Sequence, residues 1–205
     1  MFNFKKFASI ALAACMLCCA SVNAFAAEVQ ENGGTASTPV SLYSTDDGTL
    51  GGNPAGTAMS VTVPTALPMA MAQNGDVTTA TDCKIVNNSF GAVRVANVSI
   101  TADNGWSLTT FGDKSSLANE KVDSNKFGFA LSIGGGEWSA TASSDPAAQL
   151  LISAPIAGCY MSGAGNPTGN SVDVQYDAIV TPLSAPVTNS TIANVVFVIE
   201  WDTAA

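Results

Sequence analysis

The chain has 205 residues, with 16 acidic and seven basic side chains, no histidine and a net charge of −9. An acidic protein is a poor partner for nucleic acids and anionic membranes, because both bind basic surfaces. Without histidine, the chain can form no Ser-His-Asp or Cys-His nucleophilic site and no histidine-based zinc site. Composition alone therefore excludes several large classes of enzyme and most nucleic-acid-binding proteins.

Residues 1–26 have the organisation of a secretory signal peptide. Lys5 and Lys6 are followed by an apolar run over residues 7–22 and by Ala24-Phe25-Ala26, a small-x-small cleavage signal. Cleavage before Ala27 removes two of the seven basic residues, which leaves five against 16 acids and changes the net charge from −9 to −11. No later segment has the roughly 18 consecutive apolar residues that span a bilayer. The sequence thus predicts a secreted or cell-surface, extracellular protein without a membrane span.

A second processing route is open at the same end of the chain. Leu12-Ala13-Ala14-Cys15 fits the lipobox that precedes a lipid-modified cysteine in bacterial lipoproteins. A lipid anchor at Cys15 would hold the protein at a membrane surface. Residues 16–19 after it are apolar, however, and are more typical of a continuing signal core than of a polar tether, so signal peptidase I cleavage is the leading interpretation.

Two cysteines, Cys83 and Cys159, lie beyond the predicted signal. In an exported domain, such a pair is a candidate disulfide. The bridge would close a loop of about 77 residues, which stabilises a fold by roughly 4 kcal/mol in the chain-entropy description. The alternative is a pair of buried free thiols.

Residues 27–58 are rich in Gly, Ser, Thr, Asp and Pro and contain few large apolar side chains. Such a segment buries too little surface to offset the entropy of ordering it. We therefore expect a disordered, low-complexity leader, with a short strand possible around Val40 and Leu42. Residues 59–205 are long enough for one domain with its own core.

Apolar and polar side chains alternate along most of this domain, which is typical of half-buried strands. In VTVPTALPMAM, Pro64 and Pro68 place the strand at an edge or break it in two. Asn74-Gly75 predicts a hairpin turn, with DVTTATDCKIV as the returning strand.

Alternation changes parity in the next strand. Val93 and Val95 face one way, whereas Val98 and Ile100 have the opposite parity. An extra residue near Ala96-Asn97 would bring both pairs onto the same face, so the pattern predicts a β-bulge there.

Residues 126–133 and 172–180 alternate clearly, and both predict strands. Residues 150–156 favour a strand over a single helical turn. The final segment, IANVVFVIEWDT, is apolar on both faces up to Glu200. That pattern is typical of a central strand, or of a strand that pairs with another molecule. With no convincing helix after the signal, we predict an all-β, antiparallel β-sandwich of eight to nine strands, jelly-roll-like in organisation.

Few side chains suggest chemistry. Glu120, Glu137 and Glu200 are the carboxylates that a glycosidase would need in pairs, but Glu200 is typical of a carboxylate exposed at a strand end, and we predict no catalytic residues. Asp46-Asp47-Gly48 and Asn74-Gly75-Asp76 are acidic turns without the full calcium-loop pattern; a structural calcium ion is a minor alternative, and no cofactor is expected. Sugar rings stack on exposed aromatic side chains, for which the candidates are Trp106, Trp138 and Trp201, although core packing is the commoner role.

Several segments together resemble secreted surface proteins of Gram-positive bacteria. They are VTVP at 61–64, KIVNNS at 84–89, residues 93–98, GWSL at 105–108 and FVIEW at 197–201. The layout is similar to WxL-domain wall proteins and, more loosely, to camelysin/TasA-type matrix proteins. Trp106-Ser107-Leu108 matches the W-x-L motif, but Trp201 is followed by Asp202-Thr203 where a WxL domain has its second copy. The resemblance implies a β-sandwich that binds the cell wall or assembles into a matrix.

These observations favour a non-enzymatic secreted cell-surface or extracellular-matrix protein that acts in adhesion or self-assembly. Its expected partners are cell-wall glycans, other surface proteins or a second copy of itself. The alternative is a carbohydrate-binding module for cell-wall or dietary glycans. Binding loops, if present, are expected at residues 113–124 and 163–171, which are polar and lack a core pattern.

Overall fold

A computed structural model describes residues 42, 44–50, 52–53, 55–142 and 148–203. The predicted signal peptide, its cleavage site and Cys15 lie outside these residues. The chain divides into two compact units, with the boundary between Gly56 and Thr57. In the first unit, Asp47 closes a turn by accepting hydrogen bonds from the backbone N–H and the hydroxyl of Thr49.

The second unit is all-β over its described residues. Its described residues form twelve strands and one 3₁₀ turn at Lys114–Ser116. In chain order the strands are β1 (Val61–Thr62), β2 (Met69–Met71), β3 (Val77–Thr79), β4 (Lys84–Asn87), β5 (Val93–Ala102), β6 (Ser107–Leu108), β7 (Lys126–Ile133), β8 (Ser139–Ala140), β9 (Gln149–Ile152), β10 (Tyr160–Met161), β11 (Ser171–Val180) and β12 (Ala193–Trp201).

These strands form two larger sheets and a hairpin. The first sheet has the order β1-β4-β11-β7-β6, with β8 also paired to β7. The second has the order β10-β5-β12, with β9 on the same side of β5 as β10. β2 and β3 form the hairpin. The described pairings are antiparallel except that between β6 and β7, so the predicted antiparallel all-β class is confirmed at this level.

One hydrophobic cluster draws side chains from both larger sheets. Val95, Val98 and Ile100 of β5 contribute to it, as do Leu131 and Ile133 of β7, and each of these five is at most 1% exposed. Aromatic contacts extend the cluster, because Phe129 stacks on Tyr176 at 6.0 Å and Trp106 meets the Phe127 ring edge-on at 6.2 Å.

The β-bulge predicted near Ala96-Asn97 is confirmed. Val198 of β12 pairs with Asn97, and the next residue, Ile199, pairs with Val95, so Ala96 has no partner on β12. This extra residue reverses the parity of β5 and lets the valines on both sides of it reach the core.

Two predicted strands are each split in the structure. Val61–Thr62 joins the first sheet, whereas Met69–Met71 joins the hairpin beyond Pro64 and Pro68. The predicted return strand likewise divides into β3 and β4, although the Asn74-Gly75 hairpin turn itself is confirmed. The sequence predicts eight to nine strands, whereas the described residues form twelve. The difference arises because strands of only two or three residues are too short to show an alternating pattern.

Of the two interpretations of the final strand, the central one is wrong. β12 pairs only with β5 among the described strands and lies at the end of its sheet. Its side chains alternate between half-buried and exposed along all nine residues. The apolar residues on its outer face therefore do not reflect burial on both sides.

Candidate functional site

β12 forms because its sequence, ANVVFVIEW, is β-branched and aromatic, which suits a pleated strand. Its pairing with β5 extends from Ala193 to Trp201. The side chains directed towards the core are half-buried, and they are Ala193, Val195, Phe197, Ile199 and Trp201. Among those on the opposite face, Val196 is 52% and Val198 37% exposed.

The outer edge of β12 presents a row of backbone groups that no described strand pairs with. The N–H of Asp103 donates to the Ile192 carbonyl at 2.9 Å, and the N–H of Asp202 donates to the Ala92 carbonyl at 3.0 Å. Since antiparallel ladders alternate, the even-numbered residues of β12 direct their N–H and C=O groups at β5. The odd-numbered residues, 193 to 201, direct theirs away from β5, where no described strand pairs with them.

This edge lacks the features that usually prevent strand addition, which are short length, proline, lysine and bulges. β12 has nine residues without proline, lysine or arginine, and the extra residue of the bulge belongs to β5. The strands β1, β6, β8 and β10, in contrast, have only two residues each. Within the described residues, β12 is thus the long, regular and unprotected edge.

A groove of about 1020 Å³ runs beside the core-facing side of β12. Its walls are the segment 64–73 that leads into and includes β2, the loop 183–191, and β12 itself, and the rings of Phe127 and Phe129 reach it. The groove explains why Val195 and Phe197 remain only half-buried, whereas the core valines of β5 are sealed. An added strand would cover this apolar surface.

Charge on the outer face is confined to one end of β12. Arg94 of β5 contacts Glu200 at 3.2 Å and Asp202 at 3.9 Å, and its side chain is 29% exposed. The Nε of Arg94 is buried and has no hydrogen-bond partner among the described residues. The centre of the strand, at Val196 and Val198, is therefore apolar and uncharged on its exposed face.

The three tryptophans proposed for sugar stacking are in different surroundings. Trp106 packs on Phe127, and Trp201 lies over Gly91, where an added Cβ would come within 2.9 Å of the ring. Both are half-buried and contact the core cluster. Trp138 alone of the three is mainly exposed, at 54%, so the sequence predicted three candidates and the structure leaves one in solvent.

The three carboxylates considered for catalysis lie in different surroundings. Glu120 pairs with Lys126 at 3.0 Å, Glu200 pairs with Arg94, and Glu137 is exposed in the turn after β7. In the described part of the chain, no group of three or more acidic, cysteine or histidine residues could hold a metal ion.

In both acidic turns considered for calcium, a carboxylate accepts hydrogen bonds from other residues of the protein. Hydrogen bonds from the Thr49 hydroxyl and backbone N–H lower the pKa of Asp47. A hydrogen bond from Lys114, together with one from Asn74, lowers the pKa of Asp76. These carboxylates thus already have protein donors.

Cys83 and Cys159, the candidate disulfide pair, are present as free thiols. Cys159 is fully buried, and burial raises the pKa of its thiol. Both residues belong to the hydrophobic cluster, where they pack as small apolar side chains.

The two loops expected to bind ligands are tied to the rest of the domain. In residues 113–124, Leu117 is buried, Lys114 pairs with Asp76, and Asp123 accepts hydrogen bonds from the hydroxyl and backbone N–H of Ser184. In residues 163–171, the N–H of Ala164 donates to the Ser89 carbonyl at 2.8 Å. The sequence directed attention to these loops and left β12 either as a central strand or as a strand that pairs with another molecule, because composition does not show which edge of a strand is paired.

Comparisons with protein-family models, with curated proteins and with solved structures find no match for this chain. The resemblance to WxL-domain and camelysin/TasA-type proteins thus stays an expectation from the sequence. The described residues include no helix with the length and apolar character needed to cross a membrane.

Proposed function

We propose that this chain is a secreted, non-enzymatic cell-surface or extracellular-matrix protein that acts by adhesion or self-assembly, through strand addition at the outer edge of β12. Its two larger sheets would face each other as a jelly-roll-like β-sandwich, with β12 at the open side. Support for the facing sheets comes from the single cluster to which both contribute. The signal-like residues 1–26 support export.

The observation that carries this proposal is the unprotected edge of β12. An exposed strand edge pairs readily with another strand, because main-chain hydrogen bonds supply affinity while side-chain pockets supply specificity. The groove beside β12 adds a partly apolar surface for the side chains of the arriving strand. Both features suit association with another strand.

Light scattering coupled to size exclusion, followed by negative-stain microscopy of the same sample, tests the proposal. The protein is purified after export, and mass spectrometry of its N-terminus identifies the processing route, including lipid at Cys15. We expect species larger than a monomer that increase with protein concentration. A monomer at every concentration, with no binding to cells or cell walls, would overturn the proposal.

A carbohydrate-binding module is the second candidate, and the exposure of Trp138 favours it. A sugar-stacking platform needs at least two exposed, coplanar aromatic rings, and of the three tryptophans only Trp138 is mainly exposed. Titration of cell-wall and dietary glycans while tryptophan fluorescence is recorded, with Trp138→Ala as the control, tests this candidate. A spectrum that no glycan shifts argues against it.

A further inference from the structure

We propose that the strand added at β12 is β12 of a second copy of this chain, antiparallel to the first and related to it by a two-fold axis at Phe197. The inference rests on the proposed self-assembly and specifies its partner and register. It follows from the order of side chains along β12 and from the direction of the backbone groups at its edge.

Backbone geometry restricts the register. The odd-numbered residues of β12 carry the unpaired N–H and C=O groups, so in an antiparallel pair odd residues must oppose odd residues. A two-fold axis at Phe197 achieves this over the whole strand, since each residue then opposes the one at the mirrored position, from Ala193 with Trp201 to Trp201 with Ala193. Shifting the axis to Val196 or Val198 shortens the overlap.

Side chains on the exposed face are self-complementary in this register. Val196 opposes Val198 of the other copy, and Asn194 opposes Glu200 of the other copy, each twice by symmetry. Apolar pairs thus occupy the centre, and no like charges meet. With the axis at Val198, Val196 would oppose Glu200 instead, and with the axis at Val196, Asn194 would oppose Val198.

On the groove side, the same register brings only apolar residues together. Phe197 opposes its own copy, and Val195 opposes Ile199, both of which are half-buried in the single chain. Pairing would remove this surface from water, which is the dominant favourable contribution in most protein association. A two-fold contact of this kind uses the same patch on both molecules and closes on itself.

Charge substitutions on the exposed face test the register. In V196K/V198K, lysine opposes lysine at both symmetric positions, and like charges directly opposite destabilise a strand pair. We expect the dissociation constant of the dimer to rise roughly tenfold or more. In V196K/V198E, lysine opposes glutamate of the other copy, and association should be restored. Val122→Lys, at another exposed valine outside both sheets, controls for added charge.

Cysteine cross-linking reads out the contact directly. Opposed even residues form the non-hydrogen-bonded pairs, whose Cα atoms lie about 4.5 Å apart, within disulfide range. A mixture of V196C chains and V198C chains should cross-link under mild oxidation, whereas V196C alone should not. Chains without an added cysteine show any background from Cys83 and Cys159.

The outcomes distinguish a failure of the two-fold register from a failure of the proposed self-assembly. If the protein associates but V196K/V198K leaves association unchanged, or if V196C chains cross-link to themselves, the two-fold register is overturned while self-assembly stands. If Val40→Lys with Leu42→Lys abolishes association and V196K/V198K does not, the leader is the donor strand. A strictly monomeric protein overturns the two-fold pairing and self-assembly, and binding to cells or cell walls then decides whether adhesion stands.

Discussion

β7 and β12 are similar in composition but differ in their surroundings. β7 pairs with β11 along one edge and with β6 and β8 along the other, and seven of its eight residues are buried. β12 pairs along one edge only, and none of its residues reaches that level of burial. An apolar strand can thus be either the centre of a fold or its unfinished side, and what decides between the two is whether neighbours cover its edges.

Small residues make the enclosure of β7 possible. Gly128 lies against the backbone of Phe111, and an added Cβ there would come within 2.8 Å of the Phe111 Cα. Ala130 and Ser132 are also buried on this side. Opposite its core face, β12 instead has valines and a glutamate, and Val196 and Glu200 are each about half exposed.

Replacing one isoleucine in each of the two strands should give the largest difference in stability. Ile133 of β7 is fully buried, so Ile133→Ala should lower the free energy of unfolding by about 2–5 kcal/mol. Ile199 of β12 is half-buried, and Ile199→Ala should cost roughly half as much in the monomer. Urea unfolding at low protein concentration measures both. Equal losses would mean that the core side of β12 is as well covered as β7.

Glycine substitutions come next. Gly128→Ala forces a methyl group against Phe111 and Ile179, and such overpacking typically costs about 1–3 kcal/mol. Gly112→Ala is the control, because an added Cβ there meets nothing within 4 Å. If Gly128→Ala is as stable as Gly112→Ala, the close approach at β7 is not a tight contact.

Alkaline pH should lower the free energy of unfolding through two groups on the enclosed side of the domain. Burial raises the pKa of Cys159 from its usual 9.0 and that of Tyr176, which stacks on Phe129 of β7, from its usual 10.0. Both groups are neutral in the folded protein, so their contribution is complete below pH 9 and is lost as pH rises, because the unfolded chain ionises first. Unfolding free energies between pH 7 and 11 check this, and Cys159→Ala should reduce the decline.

The smallest effect is expected at the charged end of β12. Glu200 is 53% exposed where it pairs with Arg94, and partly exposed ion pairs contribute about 1 kcal/mol or less. Glu200→Gln should therefore change stability only slightly, and less at high salt. A loss comparable to that of Ile133→Ala would show that β12 is held by this pair rather than by its ladder with β5.

Local patterns in the sequence predicted the features that depend on local chemistry. The Ala96 bulge followed from the parity of four core residues, and the break between β1 and β2 was one of two alternatives set by Pro64 and Pro68. The alternation of β11 was also correct, and of the strand predicted at residues 150–156 the structure has the first part, within Gln149–Ile152. Each of these depends on neighbours within a few positions.

The sequence left the candidate site as one of two alternatives, a central strand or a strand that pairs with another molecule. Whether β12 is central or at an edge depends on β5, β2 and the loop after β11, which are distant in sequence. Two-residue strands such as β6 have no pattern of their own, and the parallel pairing of β6 with β7 is invisible to periodicity. Long-range pairing was therefore the missing information.

Amide hydrogen exchange by NMR, over a series of protein concentrations, tests the central claim most directly. In the dilute protein, the amides of Val195, Phe197 and Ile199 should exchange quickly, while those of Val196 and Val198, bonded to β5, are protected. At high concentration the odd-numbered amides should become protected as well, and in V196K/V198K they should not. If the protein associates while these three amides remain unprotected, the outer edge of β12 is not the contact.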